Sequence, residues 1–171
     1  MTIETIKTEV GSYFISNYPP FSQWQAEVLP EIEAALHSPP KTATPLGLYL
    51  HIPFCRKRCK FCYFRVYTDK NASEIESYID AVIQELTLYA AKPFIGARKP
   101  NFIYFGGGTP SYLSVEQLRF LTDGMKRLLP WDEAEEVAFE AEPGTLTDHK
   151  LAALLELGVT RLSLGIEHFD D

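Results

Sequence analysis

From residue 46 onward, short apolar runs alternate with longer stretches in which apolar residues recur every three or four positions. Gly47 to Ile52 is a compact, mostly apolar run and predicts a strand. Ser73 to Ala90 carries Ile75, Tyr78, Ile79, Val82, Ile83 and Leu86 at helical spacing, and Ser73 with Glu76 reads as its capping box. Asn101 to Phe105 predicts a second strand, ended by Gly106-Gly107-Gly108. Val115, Leu118, Leu121, Met125 and Leu128 form the next helical face, opened by a second capping box, Ser114 with Gln117. Val137 to Ala141 predicts a third strand, closed by Pro143-Gly144. Thr147 to Leu157 predicts a helix with Gly158 as its C-cap, and Val159 to Ile166 a fourth strand. The order strand, helix, strand, helix, strand, helix, strand is that of parallel strands with right-handed crossovers. Such folds place their sites at the carboxyl ends of the strands.

The first 46 residues are different. They hold half of the prolines, and only Gln23 to Leu36 has helical character, broken or bent at Pro30. Tyr13, Phe14, Tyr18, Phe21 and Trp24 supply more aromatic surface than a disordered tail carries, so residues 1–46 read as an irregular extension packed on a core formed by residues 47–171.

The chain of 171 residues is long enough for one domain with a buried core. No run of about 18 apolar residues is present, and Met1 to Val10 lacks the apolar centre of a signal peptide. These features predict a cytoplasmic protein without a membrane partner. The net charge of −7 argues against a nucleic-acid partner, which requires a basic surface. The exception is local: Arg56, Lys57, Arg58 and Lys60 crowd one short segment.

That segment also holds all 3 cysteines, Cys55, Cys59 and Cys62, in the spacing C-x3-C-x2-C. An odd, clustered set cannot close a disulfide framework and suits a metal site in a reducing compartment. Thiolates suit iron–sulfur clusters or zinc. Three thiolates on one loop can bind three irons of a cubane and leave the fourth open for a small molecule. His51 would instead complete a Cys3His zinc set. The interleaved basic residues read either as a solvated loop or as compensation for an anionic cluster or a carboxylate-bearing substrate. Phe105-Gly-Gly-Gly-Thr109-Pro110 allows close approach of backbone to a ligand, through N–H groups toward a carboxylate or carbonyls toward an ammonium. Glu140 and Glu142 share one face of the third strand, opposite Val137, Phe139 and Ala141, and read as a solvated strand end or as partners for an amino group. Glu167-His168 follows the fourth strand.

Tyr49-Leu-His-Ile-Pro-Phe-Cys, the cysteine triad with Phe61 before its last member, Gly-Gly-Gly-Thr-Pro, Glu140 and Arg161-Leu-Ser-Leu-Gly-Ile occur together and in order. From about residue 47 to the end, this resembles the radical S-adenosylmethionine (SAM) superfamily. More narrowly, it resembles the branch of oxygen-independent coproporphyrinogen III oxidase with its haem chaperone and methylase relatives. The resemblance implies a partial parallel (βα) barrel, of which about four strands are present. It implies a [4Fe–4S] cluster on Cys55, Cys59 and Cys62, with SAM on the open iron. Tyr49, Phe61, Gly107, Gly108, Thr109 and Glu140 would contact the cluster or SAM, with Thr109 and Glu167 at a second SAM. Reductive cleavage of SAM would give a 5′-deoxyadenosyl radical that abstracts hydrogen from a small-molecule, tetrapyrrole-type substrate. An electron donor such as flavodoxin or ferredoxin would supply the electron. Two positions depart from the decarboxylase: Phe64 stands where it has a further cysteine, and Glu167 where it has glutamine. A radical methylase or a non-catalytic haem chaperone with the same fold are the alternatives. With four strands, this stretch is expected to lack the substrate site and not to turn over alone.

Overall fold

A computed structural model describes residues 25–40, 44–62, 64–96 and 98–166. Within these, four strands form one parallel sheet: β1 (Gly47–Ile52), β2 (Phe102–Gly107), β3 (Glu136–Ala141) and β4 (Arg161–Leu164). Four helices are present: α1 (Leu29–Leu36), α2 (Ala72–Ala90), α3 (Val115–Leu128) and α4 (Asp148–Glu156). The strand order β1-β2-β3-β4 follows the chain. A doubly wound sheet reverses its order at a switch point. This sheet steps one way throughout, as the wall of a (βα) barrel does.

The pleat assigns side chains to faces. Leu50, Ile52, Ile103, Phe105, Val137 and Phe139 are buried on one face, in a single core with Ile75 and Ile79 of α2 and Leu118, Leu121 and Met125 of α3. The opposite face carries Tyr49, His51, Tyr104 and Glu140, and no helix among the described residues covers it. On β4, Leu162 and Leu164 align with Phe139 and Ala141 on the core face but are exposed.

Several boundaries differ from the sequence reading. The helix expected at Ser73 starts earlier because Asn71 is the cap. Its Oδ1 accepts from the Glu74 N–H at 3.0 Å, and Glu74 Oε2 accepts from the Asn71 N–H at 3.1 Å. Asn caps as well as Ser does, and this box comes first along the chain. The second box, Ser114 with Gln117, forms as expected. The helical stretch expected over 23–36 is interrupted beside Pro30, where a 3-10 turn, Ala26–Val28, gives way to α1 at Leu29, and Pro30 does not break α1 itself. It sits in the first turn, where its missing N–H has no partner to lose. α1 buries no residue, and it meets the rest of the chain where the Phe94 N–H donates to the Leu36 carbonyl at 3.0 Å. Tyr13, Phe14, Tyr18, Phe21 and Trp24 lie outside the described residues. β4 is shorter than expected because Val159 and Thr160 are taken up in the turn after α4. The Thr160 N–H donates to the Val137 carbonyl at 2.9 Å, and its hydroxyl accepts from the Val137 N–H at 2.9 Å. Gly158 ends α4 at φ +90°, as expected of a C-cap.

Candidate functional site

At the carboxyl ends of the strands lies a cavity of about 840 Å³. All three cysteines line it, with Phe61, Gly107, Gly108, Thr109, Glu140 and Glu142. A smaller cavity of about 660 Å³ lies by the amino ends of α2 and α3 and contains no cysteine.

Cys55 is the anchored member of the triad. It is buried, and its N–H donates to the Tyr67 carbonyl at 3.1 Å, while the Tyr67 N–H donates to the Pro53 carbonyl at 2.8 Å. Cys59 and Cys62 share a turn in which the Cys62 N–H donates to the Cys59 carbonyl at 3.1 Å. Arg58 closes that turn through its Nη2, 2.9 Å from the Cys62 carbonyl. One of the four basic residues thus stabilises the loop, while Lys57, Arg58 and Lys60 all face the cavity.

The glycine loop is packed beneath Cys55. The Gly108 N–H donates to the Ile52 carbonyl at 2.8 Å and the Thr109 N–H to the Phe54 carbonyl at 2.9 Å. A Cβ on Gly108 would lie 2.8 Å from Cys55 Sγ and 3.0 Å from each of the Ile52 and Phe54 carbonyl oxygens. Only glycine fits. The Gly107 N–H is used too, donating to Glu140 Oε2 at 3.2 Å. Three successive N–H groups are therefore committed within the protein, which removes the carboxylate-binding reading of this loop.

Thr109 is buried, and its hydroxyl donates to Cys55 Sγ at 3.4 Å. Burial pushes the Cys55 thiol up. The Thr109 hydrogen bond counters it, and the neighbouring Cys62 and Glu142 add to it. Without metal this residue is a thiol, so a metal centre must displace its proton on binding.

Glu140 does not face the sheet interior unpaired, although no ion pair joins it to a cation among the described residues. Tyr104 donates its hydroxyl to Glu140 Oε1 at 2.6 Å, alongside the Gly107 N–H on Oε2. That hydrogen bond, with burial next, pushes the Tyr104 phenol up to about 12. Glu142 lies just past the end of β3, on backbone that is still extended, and lines the cavity together with Glu140. Its N–H donates to Ser111 Oγ at 3.1 Å, and Ser111 in turn hydrogen-bonds Thr145 Oγ1. Lys150 reaches the Ser111 carbonyl at 2.5 Å, and its burial lowers the amine from the usual lysine range. This latch joins the glycine loop to the turn after β3.

Tyr49 stands on the sheet face but does not line the cavity. Its hydroxyl is 3.1 Å from His51 Nδ1. The His51 ring sits against Gly107, where a Cβ would lie 2.8 Å from Nδ1, and beside Phe64 at 6.1 Å between centroids. Burial lowers the imidazole below its usual range, with Glu140 opposing, so it is neutral. It does not line the cavity with the cysteines, as a Cys3His set would require. Among the described residues, no three His, Cys, Asp or Glu side chains are gathered around a single point to hold one ion. A cubane differs from zinc in taking each thiolate at its own iron, so its ligands need only line one cavity. The donor set (three thiols, with Gly108 giving Cys55 its room) fits such a cluster. Glu167 lies outside the described residues.

The sequence reading missed Tyr104, Ser111, Thr145 and Lys150 as contributors to the site. The available signal for Tyr104 was its period-2 alignment with the glycine loop, which puts it on the face of Gly106 rather than in the core.

A barrel wall with a cysteine triad and a glycine loop meeting over its carboxyl edge defines a class of cluster-binding (βα) proteins. The radical SAM superfamily model matches residues 49–171, and the chain belongs to that superfamily. Its members use a [4Fe–4S] cluster and SAM. The chain is 33% identical over 157 residues to an oxygen-independent coproporphyrinogen III oxidase of Synechocystis sp., covering 91% of this chain and 33% of that protein. It is 41% identical over 124 residues to the heme chaperone HemW of Bacillus subtilis, covering 72% of this chain and 32% of that protein. The solved structure of coproporphyrinogen III oxidase (HemN) from Escherichia coli, a radical SAM enzyme, superposes with a TM-score of 0.71 at 31% identity. That match covers 82% of this chain and 31% of the solved one. The chain thus spans about a third of the length of the curated relatives it matches. Fold and family agree with the sequence reading. No helix among the described residues is long and apolar enough to cross a membrane.

Proposed function

We propose that the cavity at the carboxyl edge of the sheet is a radical SAM centre, with residues 47–171 as its core and residues 1–46 as an extension. Cys55, Cys59 and Cys62 would hold the cluster, and Phe61, Gly107, Gly108 and Glu140 would contact SAM. When bound, such a cluster would supply the electron for reductive cleavage of SAM. The observation that carries this reading is the convergence of the thiol loop, the glycine loop and Glu140 on one cavity.

The chain's own residues divide the work. Gly108 and Thr109 seat Cys55, through the room the glycine leaves and the hydroxyl on its sulfur. With its N–H groups spent, the glycine loop meets the ligand through its carbonyls, which suit the SAM ammonium. Glu140 accepts from ligand N–H or O–H groups. Tyr49 supports the site from one step down the sheet, through His51. Thr109, with its hydroxyl on Cys55, acts on the cluster ligand, and a second SAM would be met at the Thr109 and Glu167 positions. Lys57 and Lys60 favour an acidic electron donor of the flavodoxin or ferredoxin kind. The compartment is the cytoplasm, where thiols stay reduced.

The reaction follows the branch: hydrogen abstraction from a tetrapyrrole-type substrate, as an oxidoreductase or a methylase. Phe64, in place of a further cysteine beside the triad, favours a reaction other than porphyrinogen decarboxylation. The 41% identity to a heme chaperone favours a second reading, delivery of haem on the same fold. The test is anaerobic reconstitution of the full-length protein with iron and sulfide, then EPR of the reduced protein with and without SAM. A [4Fe–4S]⁺ signal that shifts with SAM and is lost in Cys55→Ala, Cys59→Ala or Cys62→Ala is expected. One equivalent of zinc and no iron would sink the assignment. Stoichiometric haem binding without SAM cleavage would select the chaperone.

A further inference from the structure

Glu140 is held by two donors, both from β2. The Tyr104 hydroxyl lies 2.6 Å from one carboxylate oxygen, and the Gly107 N–H 3.2 Å from the other. A glutamate at a cavity wall ordinarily keeps its rotamer freedom and loses it when a ligand binds. Here one donor on each oxygen fixes the plane of the carboxylate before any ligand arrives. Each oxygen still has acceptor capacity for a ligand, since a carboxylate offers about four lone-pair sites.

Tyr104 is itself held in place. Its ring stacks on Tyr49, with centroids 6.0 Å apart and planes 24° apart, while the exposed Phe102 ring lies 6.0 Å away, tilted by 38° and not stacked on it. Its phenol stays protonated through any working pH, since the Glu140 hydrogen bond and burial push it up to about 12. It is therefore always a donor toward Glu140. It lies on β2, two residues before Gly106, and does not line the cavity.

We propose that Tyr104 is a positioning residue, which pre-orients the Glu140 carboxylate toward the N–H and O–H groups of SAM and so sets the affinity for it. This rests on the reading that Glu140 contacts SAM. The hydroxyl acts through Glu140 and not through the ligand. Its removal therefore acts on SAM through the carboxylate, the hydroxyl's other partner being Ser163 on β4.

The experiment uses the full-length, anaerobically reconstituted protein and measures SAM affinity by equilibrium dialysis and by the SAM-dependent shift of the reduced cluster's EPR signal. Neither readout requires turnover. Glu140→Gln should weaken SAM binding at least tenfold, and Tyr104→Phe roughly three- to tenfold, the range of one hydrogen bond. The double variant should bind no more weakly than Glu140→Gln alone. Phe102→Leu removes a ring beside Tyr104 without removing a carboxylate donor, and should bind SAM as the wild type does. Iron content and melting temperature identify any variant that fails to fold. If Glu140→Gln weakens binding but Tyr104→Phe does not, the positioning role is refuted and the Glu140 contact stands. Two independent losses that multiply in the double variant also refute it, as does a loss in Phe102→Leu equal to that in Tyr104→Phe. If Glu140→Gln binds SAM normally, the Glu140 contact itself is wrong.

Discussion

Gly108→Ala is a severe test of how the cluster loop is seated. The added methyl would lie 2.8 Å from Cys55 Sγ and 3.0 Å from two carbonyl oxygens, Ile52 and Phe54. The sulfur sits on a short, buried side chain, and the two oxygens are backbone, so none can swing aside. The glycine loop must lift instead. Doing so stretches the Gly108 bond to Ile52, 2.8 Å, and the Thr109 bond to Phe54, 2.9 Å. Overpacking in a rigid setting costs about 1–3 kcal/mol, and each weakened hydrogen bond up to about 1 kcal/mol. The sum is roughly 1–5 kcal/mol, which lowers the melting temperature by about 2–20 °C in a chain of this size. The shift also moves Thr109 off the Cys55 sulfur, so iron retained after anaerobic reconstitution should fall with it. The assay is a thermal melt of metal-free protein together with iron per chain after desalting. Gly47→Ala, where nothing lies within 4 Å of the new methyl, is the control and should melt as the wild type does. If Gly108→Ala retains wild-type melting and wild-type iron, the loop is not seated as described.

Two further outcomes follow from the same geometry. His51→Ala should keep its iron on reconstitution, because the ring faces Gly107, Tyr49 and Phe64 rather than the cavity; loss of metal would revive a Cys3His set. Burial raises the Cys55 thiol in the folded state, so folding favours its proton. This contribution is complete below the ordinary thiol pKa of about 8.5 and is lost as pH rises through the raised folded value. Denaturant melts of metal-free protein should therefore weaken across that alkaline window, and Cys55→Ala should flatten the slope. An unchanged slope in Cys55→Ala would place the titrating group elsewhere.

Much of this was readable along the chain because it depends on neighbours in sequence. The period-2 and helical patterns locate all four strands and the helices between them. The triad spacing needs only a loop, and the capping box at Ser114 is contained in four residues. Asn71 shows the limit of local signals, since two overlapping boxes compete and the earlier one prevails.

The chemistry carried by pairs far apart was decided by the fold. Tyr104 and Glu140 are 36 positions apart and meet only because β2 and β3 are neighbours in a particular register, which puts one diagonally across from the other. The glycine run announced a close approach but not its partner. The register of β1 against β2 brings Gly108 under Cys55 and directs N–H groups of the loop at Ile52 and Phe54, and the register of β2 against β3 brings the Gly107 N–H to Glu140. Ser111, Thr145 and Lys150 look like ordinary polar surface in the sequence and become a latch only when two strand ends lie side by side. The sequence alone determined which residues bear chemistry and which elements carry them, because propensity and periodicity are local. Tertiary structure decided which groups spend their hydrogen bonds on each other and which are left for a ligand, because that depends on strand order and register.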